Sequence, residues 1–163
     1  MLPAVIAATG LSLALWVRIS PAGFALRSAA QTVAIIAIAT ELFLLGVQVL
    51  VLRAAVDRAP LSGGLLMLGL GALLAVLGNR LGKVRRNFFV GIRTPWTLAD
   101  EEVWLRTHRV GGKVFVAAGL AIMLLGLVTE NTLSMVAVLL IAALVPVAYS
   151  FAVYRRIHPH ARA

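Results

Sequence analysis

The sequence predicts an all-α integral membrane bundle of about five transmembrane helices with a short interfacial helix on the cytoplasmic side. Three observations carry this. The 163 residues are 61% hydrophobic and only 13% charged, with a mean hydropathy of +1.00, whereas soluble domains are about 45–50% apolar and about 25% charged. The apolar residues form long runs near the ~20 residues needed to cross hydrocarbon. Charge is concentrated in one island, residues 79–113, which holds eight of the 15 Lys and Arg residues and three of the six acidic ones.

Five apolar segments follow in order: Leu2 to Val17, Ser28 to Leu52, Leu61 to Gly78, Val114 to Val128 and Leu133 to Tyr154. The connections are brief apart from the island, so 1–163 reads as a single membrane domain with 79–113 as a cytoplasmic loop within it. The first segment lacks a positive n-region and an A-x-A site, so no secretory signal peptide is expected. In the third segment Gly64, Gly71, Ala75 and Gly78 fall on one stripe, and in the fourth Gly112, Gly119 and Gly126 recur every seven residues. Small residues let helix backbones approach closely, which drives association where lipid removes the hydrophobic effect. Pro146 predicts a kink in the fifth segment, with Ser150 one turn on to satisfy a freed carbonyl.

Charge orients the bundle. Cytoplasmic loops carry an excess of Lys and Arg. With the island inside, Arg18, Arg27, the island cations, Arg155, Arg156 and Arg162 make thirteen cations on the cytoplasmic side, against Arg53 and Arg58 outside. The expected location is a cytoplasmic membrane, multi-pass, with the N-terminus outside and the C-terminus inside. Trp16, Tyr149 and Tyr154 lie at the interface as belt aromatics. The net charge of +9 is then explained by anionic lipid headgroups rather than by nucleic acid. Without cysteine there is no disulfide and no thiolate metal site.

Within the island, Thr97 followed by Asp100 resembles a capping box, and Pro95 discourages helix before it. A short helix from about Leu98 to Val110 is expected, stopped by Gly111 and Gly112. It shows no single apolar face. Glu101, Trp104 and His108 share one side, Glu102 and Arg109 another, and Ala99, Val103 and Val110 a third. Such a helix would lie at the headgroups with Trp104 dipping in. Glu102 and Arg106 form an ordinary i,i+4 pair, worth about 0.2–0.5 kcal/mol. Catalysis would need Glu101 with His108 as acid and base, and Thr94 or Thr97 as nucleophile. No motif supports it, so no enzyme, cofactor or metal site is expected. His158 and His160 fall in a basic terminus read as flexible.

Glu41 lies within the second segment, with Gln48 two turns on along the same face. An ionisable group at membrane depth is a functional candidate by default. It serves either as a proton-relay carboxyl or a contact for a cationic ligand, in a small transporter or channel component, or as interhelical glue with Gln48 and a small-residue neighbour.

Asn87, then Gly91-Ile-Arg-Thr-Pro-Trp-Thr-Leu98, then Glu102, Trp104, Thr107-His108 and Gly111 resemble the signature of the SdpI family of bacterial multi-pass membrane proteins. The likeness covers roughly residues 74 to 127. Gly82 and Arg86 depart from the family pattern, in which prolines are common near both sites, and the founding member has a longer N-terminal half. The resemblance implies immunity to a secreted antimicrobial peptide toxin. It also implies signalling, in which the toxin-occupied protein sequesters a winged-helix repressor at the membrane. Asn87, Gly91, Arg93, Thr94, Pro95, Trp96, Thr97, Glu102, Trp104 and His108 are the partner-binding residues this suggests. Oligomeric state is not legible.

Overall fold

The computed structural model describes residues 26–87 and 90–159, together with positions 7 and 11, both helical. The first apolar segment, Leu2 to Val17, lies outside the described residues apart from those two positions, as do Phe88, Phe89, His160 and Arg162. The described residues are all helical in their regular structure: α1 (Leu26–Asp57), α2 (Gly63–Leu81), α3 (Pro95–Ala99), α4 (Glu101–Val128) and α5 (Thr132–Ile157). Four of these are long and apolar enough to cross a membrane. The chain is a membrane protein by this measure, and the second to fifth apolar segments each coincide with one of the long helices.

Local chemistry sets the helix ends. Arg58 takes a left-handed φ of 51° after α1, and Ser62 caps α2 by accepting from the Leu65 amide. Asn131 caps α5 with a side-chain oxygen that accepts from both Leu133 and Ser134. Each cap satisfies amides that the first helical turn leaves without an internal partner. Glu130, itself at φ 47°, lies over the start of α2: a Cβ on Gly64 would stand 2.6 Å from its Oε1. A carboxylate there complements the positive end of the helix dipole.

The pairing of α2 with α4 is the spine of the fold. Gly64 faces Gly126, Gly71 faces Gly119 and Gly78 faces Gly112, so the helices run antiparallel. A Cβ added at Gly64, Gly71 or Gly78 would stand 2.5–2.6 Å from the carbonyl oxygen of its partner glycine. The seven-residue spacing keeps the seam facing the partner over three repeats, as in a gently left-handed pair. The small-residue stripes in the sequence therefore mark a real helix contact. Met67, Leu74 and Ile122 fill its core, with Phe115, Leu125, Met135, Val138 and Leu139 packed around them.

Helix α5 covers the other side of α4, and Pro146 is buried within it. Ser150 was expected to satisfy the carbonyl freed by Pro146. Its hydroxyl donates instead to the Val147 carbonyl at 2.6 Å, not to Ala142, the residue whose carbonyl the missing Pro146 N–H would have met. Helix α1 lies against α2, where Phe43 meets Gly69. Its outward face, including Ile38, Leu42, Leu45 and Leu52, is exposed, as a lipid-facing helix requires. Glu41 and Gln48 are both half-buried on α1.

Candidate functional site

Among the described residues, the island folds into a compact cap on the ends of α2, α4 and α5. The separate helix expected over Leu98 to Val110 does not form. Residues from Glu101 run unbroken to Val128, and Gly111 and Gly112 are helical and buried rather than a stop. A Cβ on Gly112 would meet the Gly78 carbonyl at 2.6 Å. Gly112 is there because α2 and α4 cross closely and Gly111 because Ile92 and Pro146 press on it, and tertiary contact overrides their weak helix propensity.

The capping assignments also move by one element. Thr94, not Thr97, caps the short α3, in a reciprocal box with Thr97 at its third position. Thr97 is fully buried. Its hydroxyl donates to the Ile92 carbonyl at 2.9 Å and accepts from the Thr94 amide at 2.9 Å. Asp100 caps α4, accepting from the Val103 amide at 2.9 Å. The two threonines considered as nucleophiles are thus occupied in shaping the turn.

Below the turn lies a buried stack. Trp104 and His108 are 0% and 1% exposed, so Trp104 does not reach the headgroups and His108 is not solvated. Their rings stack with centroids 3.9 Å apart. The indole N–H of Trp104 donates to the Val84 carbonyl at 2.9 Å. His108 Nε2 accepts from the Ile92 amide at 2.9 Å, and Nδ1 lies 2.9 Å from the Trp104 carbonyl. Accepting at Nε2 requires the neutral ring with its proton on Nδ1, which then donates to Trp104. Glu101 is exposed in the first turn of α4, whereas His108 is buried with both ring nitrogens bonded elsewhere, so the acid/base pair considered above is not assembled. Nδ1 anchors the ring to its own helix and Nε2 holds the loop, so His108 is a latch between the loop and α4.

The latch shapes the loop above it. Gly91 adopts φ +125°, a region almost closed to residues with a Cβ. A Cβ there would stand 2.3 Å from His108 Nε2 and 3.1 Å from the Trp104 ring. Asn87, 4% exposed, accepts from the Val90 amide at 2.7 Å and donates to the Arg85 and Val90 carbonyls. Arg86 donates to the last carbonyls of α3, those of Leu98 and Ala99. The residue that departs from the family pattern thus has its own structural use, complementing the negative helix end.

On the outer side the cap is tied to α5. The Trp96 indole N–H donates to Ser150 Oγ at 2.6 Å, and its ring meets Phe151 at 5.3 Å. His158, expected in a flexible terminus, stacks on Tyr154 with Nε2 3.5 Å from Asp100. The signature residues therefore divide into two sets. Asn87, Thr97, Trp104 and His108 are buried, with Gly91, Thr94 and Trp96 half-buried, whereas Arg93, Pro95 and Glu102 are exposed. Glu102 pairs with Arg106 at the surface.

Sequence reading missed the continuity of the buried face of α4. It comprises Val103, Trp104, Thr107, His108, Gly111, Gly112, Ala118, Gly119, Ile122 and Gly126. Its i, i+4, i+7 spacing was available, but the mixture of polar, small and aromatic residues concealed it from a count of apolar positions. Thr107 is the one member whose hydroxyl, fully buried, has no hydrogen-bond partner among the described residues.

Comparison with known proteins finds a likeness that takes in this cap. Residues 83–150 match the profile of the SdpI/YfhL protein family. Over 93 residues the chain is 34% identical to "Immunity protein SdpI" of Bacillus subtilis (strain 168), which covers 56% of this chain and 45% of that protein. The chain thus spans less than half the length of this relative. The resemblance to the SdpI family seen in the signature is borne out. No solved structure matches the chain.

Proposed function

We propose that this chain is an SdpI-type membrane protein that protects its cell from a secreted antimicrobial peptide, without catalysis. The observation that carries the reading is the segment shared with the immunity protein. The family match begins at Lys83 and runs to Ser150, so it takes in the cap, α4 and the part of α5 that holds Trp96. The matched stretch is, in this chain, a built structural unit and not merely a pair of apolar helices. Expression in a toxin-susceptible host, followed by challenge with peptide from the native gene neighbourhood, tests it. Survival is expected, and killing equal to that of the empty host refutes it.

In this reading the island faces the cytoplasm, on the charge asymmetry given above. A reporter enzyme fused near position 100 is then active only in its cytoplasmic form. The finer activity is signalling: the cap is the face that receives a winged-helix repressor. The exposed Arg93 and Pro95 make the contact, while Asn87, Thr97, Trp104 and His108 hold the shape from beneath. Arg93→Ala is expected to abolish repressor recruitment with membrane insertion unchanged, and intact recruitment rejects the docking face.

A further inference from the structure

We propose that a groove between α2 and α4, at the island end of the pair, holds the headgroup of an anionic phospholipid. The groove has a volume of ≈ 520 Å³, and its lining includes Lys83, Arg109, Lys113, Gly82, Ala117 and Leu120. The lining contains three cations and no acidic residue. All three cations are exposed, and none of their side chains has an ion pair or hydrogen bond among the described residues. By contrast, Arg86 and Arg106 are held by carbonyls and by Glu102. A concentration of positive charge left without a protein counter-ion is a site for an external anion.

The geometry selects a lipid over a soluble anion. The cations stand at one end of the groove, where the charged island meets the apolar part of α4. The other end is lined by Val116, Ala117 and Leu120, and Leu120 is 54% exposed. A phosphate among Lys83, Arg109 and Lys113 therefore continues into an acyl chain lying along α4. Glycines keep the floor low: Gly78 and Gly112 bring the two backbones together, a Cβ on either standing 2.6 Å from the other's carbonyl, and Gly82 puts no side chain into the groove. Basic pockets between membrane helices are a recurrent way of holding such headgroups. This inference rests on the groove alone and stands apart from the immunity reading.

The test uses the purified full chain in neutral detergent with fluorescently labelled phosphatidylglycerol bound. Unlabelled phosphatidylglycerol, phosphatidylcholine and inorganic phosphate then compete for the site. Phosphatidylglycerol should displace the probe at concentrations roughly tenfold or more below those of phosphatidylcholine, since each basic contact near a membrane surface favours anionic lipid. Inorganic phosphate should not displace it. The combined variant Lys83→Gln, Arg109→Gln, Lys113→Gln should lose the preference. Gly82→Leu should lose it as well, by filling the groove at a position whose backbone (φ −67°) accepts a side chain. Arg155→Gln with Arg156→Gln, which removes exposed cations on α5 outside the groove, should retain it. Equal displacement by the two lipids, displacement by phosphate alone, or equal loss in the α5 variant would each overturn the site.

Discussion

Replacing Gly91 by alanine tests whether the cap is held by its latch. Two independent costs meet at this position. The residue occupies φ +125°, which an alanine adopts only under strain of about 1–3 kcal/mol. The new methyl would also overlap His108 Nε2, at 2.3 Å. The ring must turn away, breaking the 2.9 Å bond from the Ile92 amide and leaving a buried polar group unpaired at a further cost of about 1–3 kcal/mol. A conservative total near 3 kcal/mol raises the population of the detached loop more than a hundredfold. The bundle itself should survive, because the α2–α4 glycine seam lies elsewhere and local opening does not require global unfolding. The assay is limited trypsin digestion of the detergent-solubilised protein, following cleavage after Arg93. Gly82→Ala is the control, since its Cβ would meet nothing closer than 3.7 Å. If Gly91→Ala is cut at Arg93 no faster than the parent chain, the latch does not restrain the loop and the reasoning fails.

Other outcomes follow from the same contacts. Gly71→Leu should weaken the bundle by about 1–3 kcal/mol or more through overpacking, because even a Cβ would stand 2.5 Å from the Gly119 carbonyl. Gly46→Ala, with nothing within 4 Å, should be neutral or slightly stabilising; thermal unfolding in detergent compares the two. Ser150→Ala removes the acceptor for the Trp96 indole and should loosen the cap by about 1 kcal/mol, read as a red shift of tryptophan emission and faster cleavage at Arg93. Thr107→Val should raise thermal stability, since it removes a buried hydroxyl without a described partner while keeping the shape. A fall of more than about 1 kcal/mol would show that this hydroxyl is engaged in the native protein.

Much of the fold was legible because its causes are local. An apolar run long enough to cross hydrocarbon identifies a membrane helix wherever it occurs, and α1, α2, α4 and α5 each contain one. The glycine stripes were legible for a related reason. A helix that must bring its backbone close to another needs a small residue each time the seam returns, so the seven-residue spacing is written in one strand of sequence. The signature was legible as a pattern, but its physical meaning was not. Trp104 and His108 carry polar atoms, and their residue types alone put them at a wet interface.

By itself the sequence determined that the chain is a helical membrane protein, where the four described spans lie and which faces of two helices meet. Only the tertiary structure decided that the island is a cap rather than a surface helix. The partners that make it one are the Val84 and Ile92 backbone groups and Ser150, and the last of these lies 54 positions from Trp96. Helical periodicity reports how residues on one helix share a face. It carries no record of a distant carbonyl or hydroxyl that lets an indole or an imidazole enter the interior without losing a hydrogen bond.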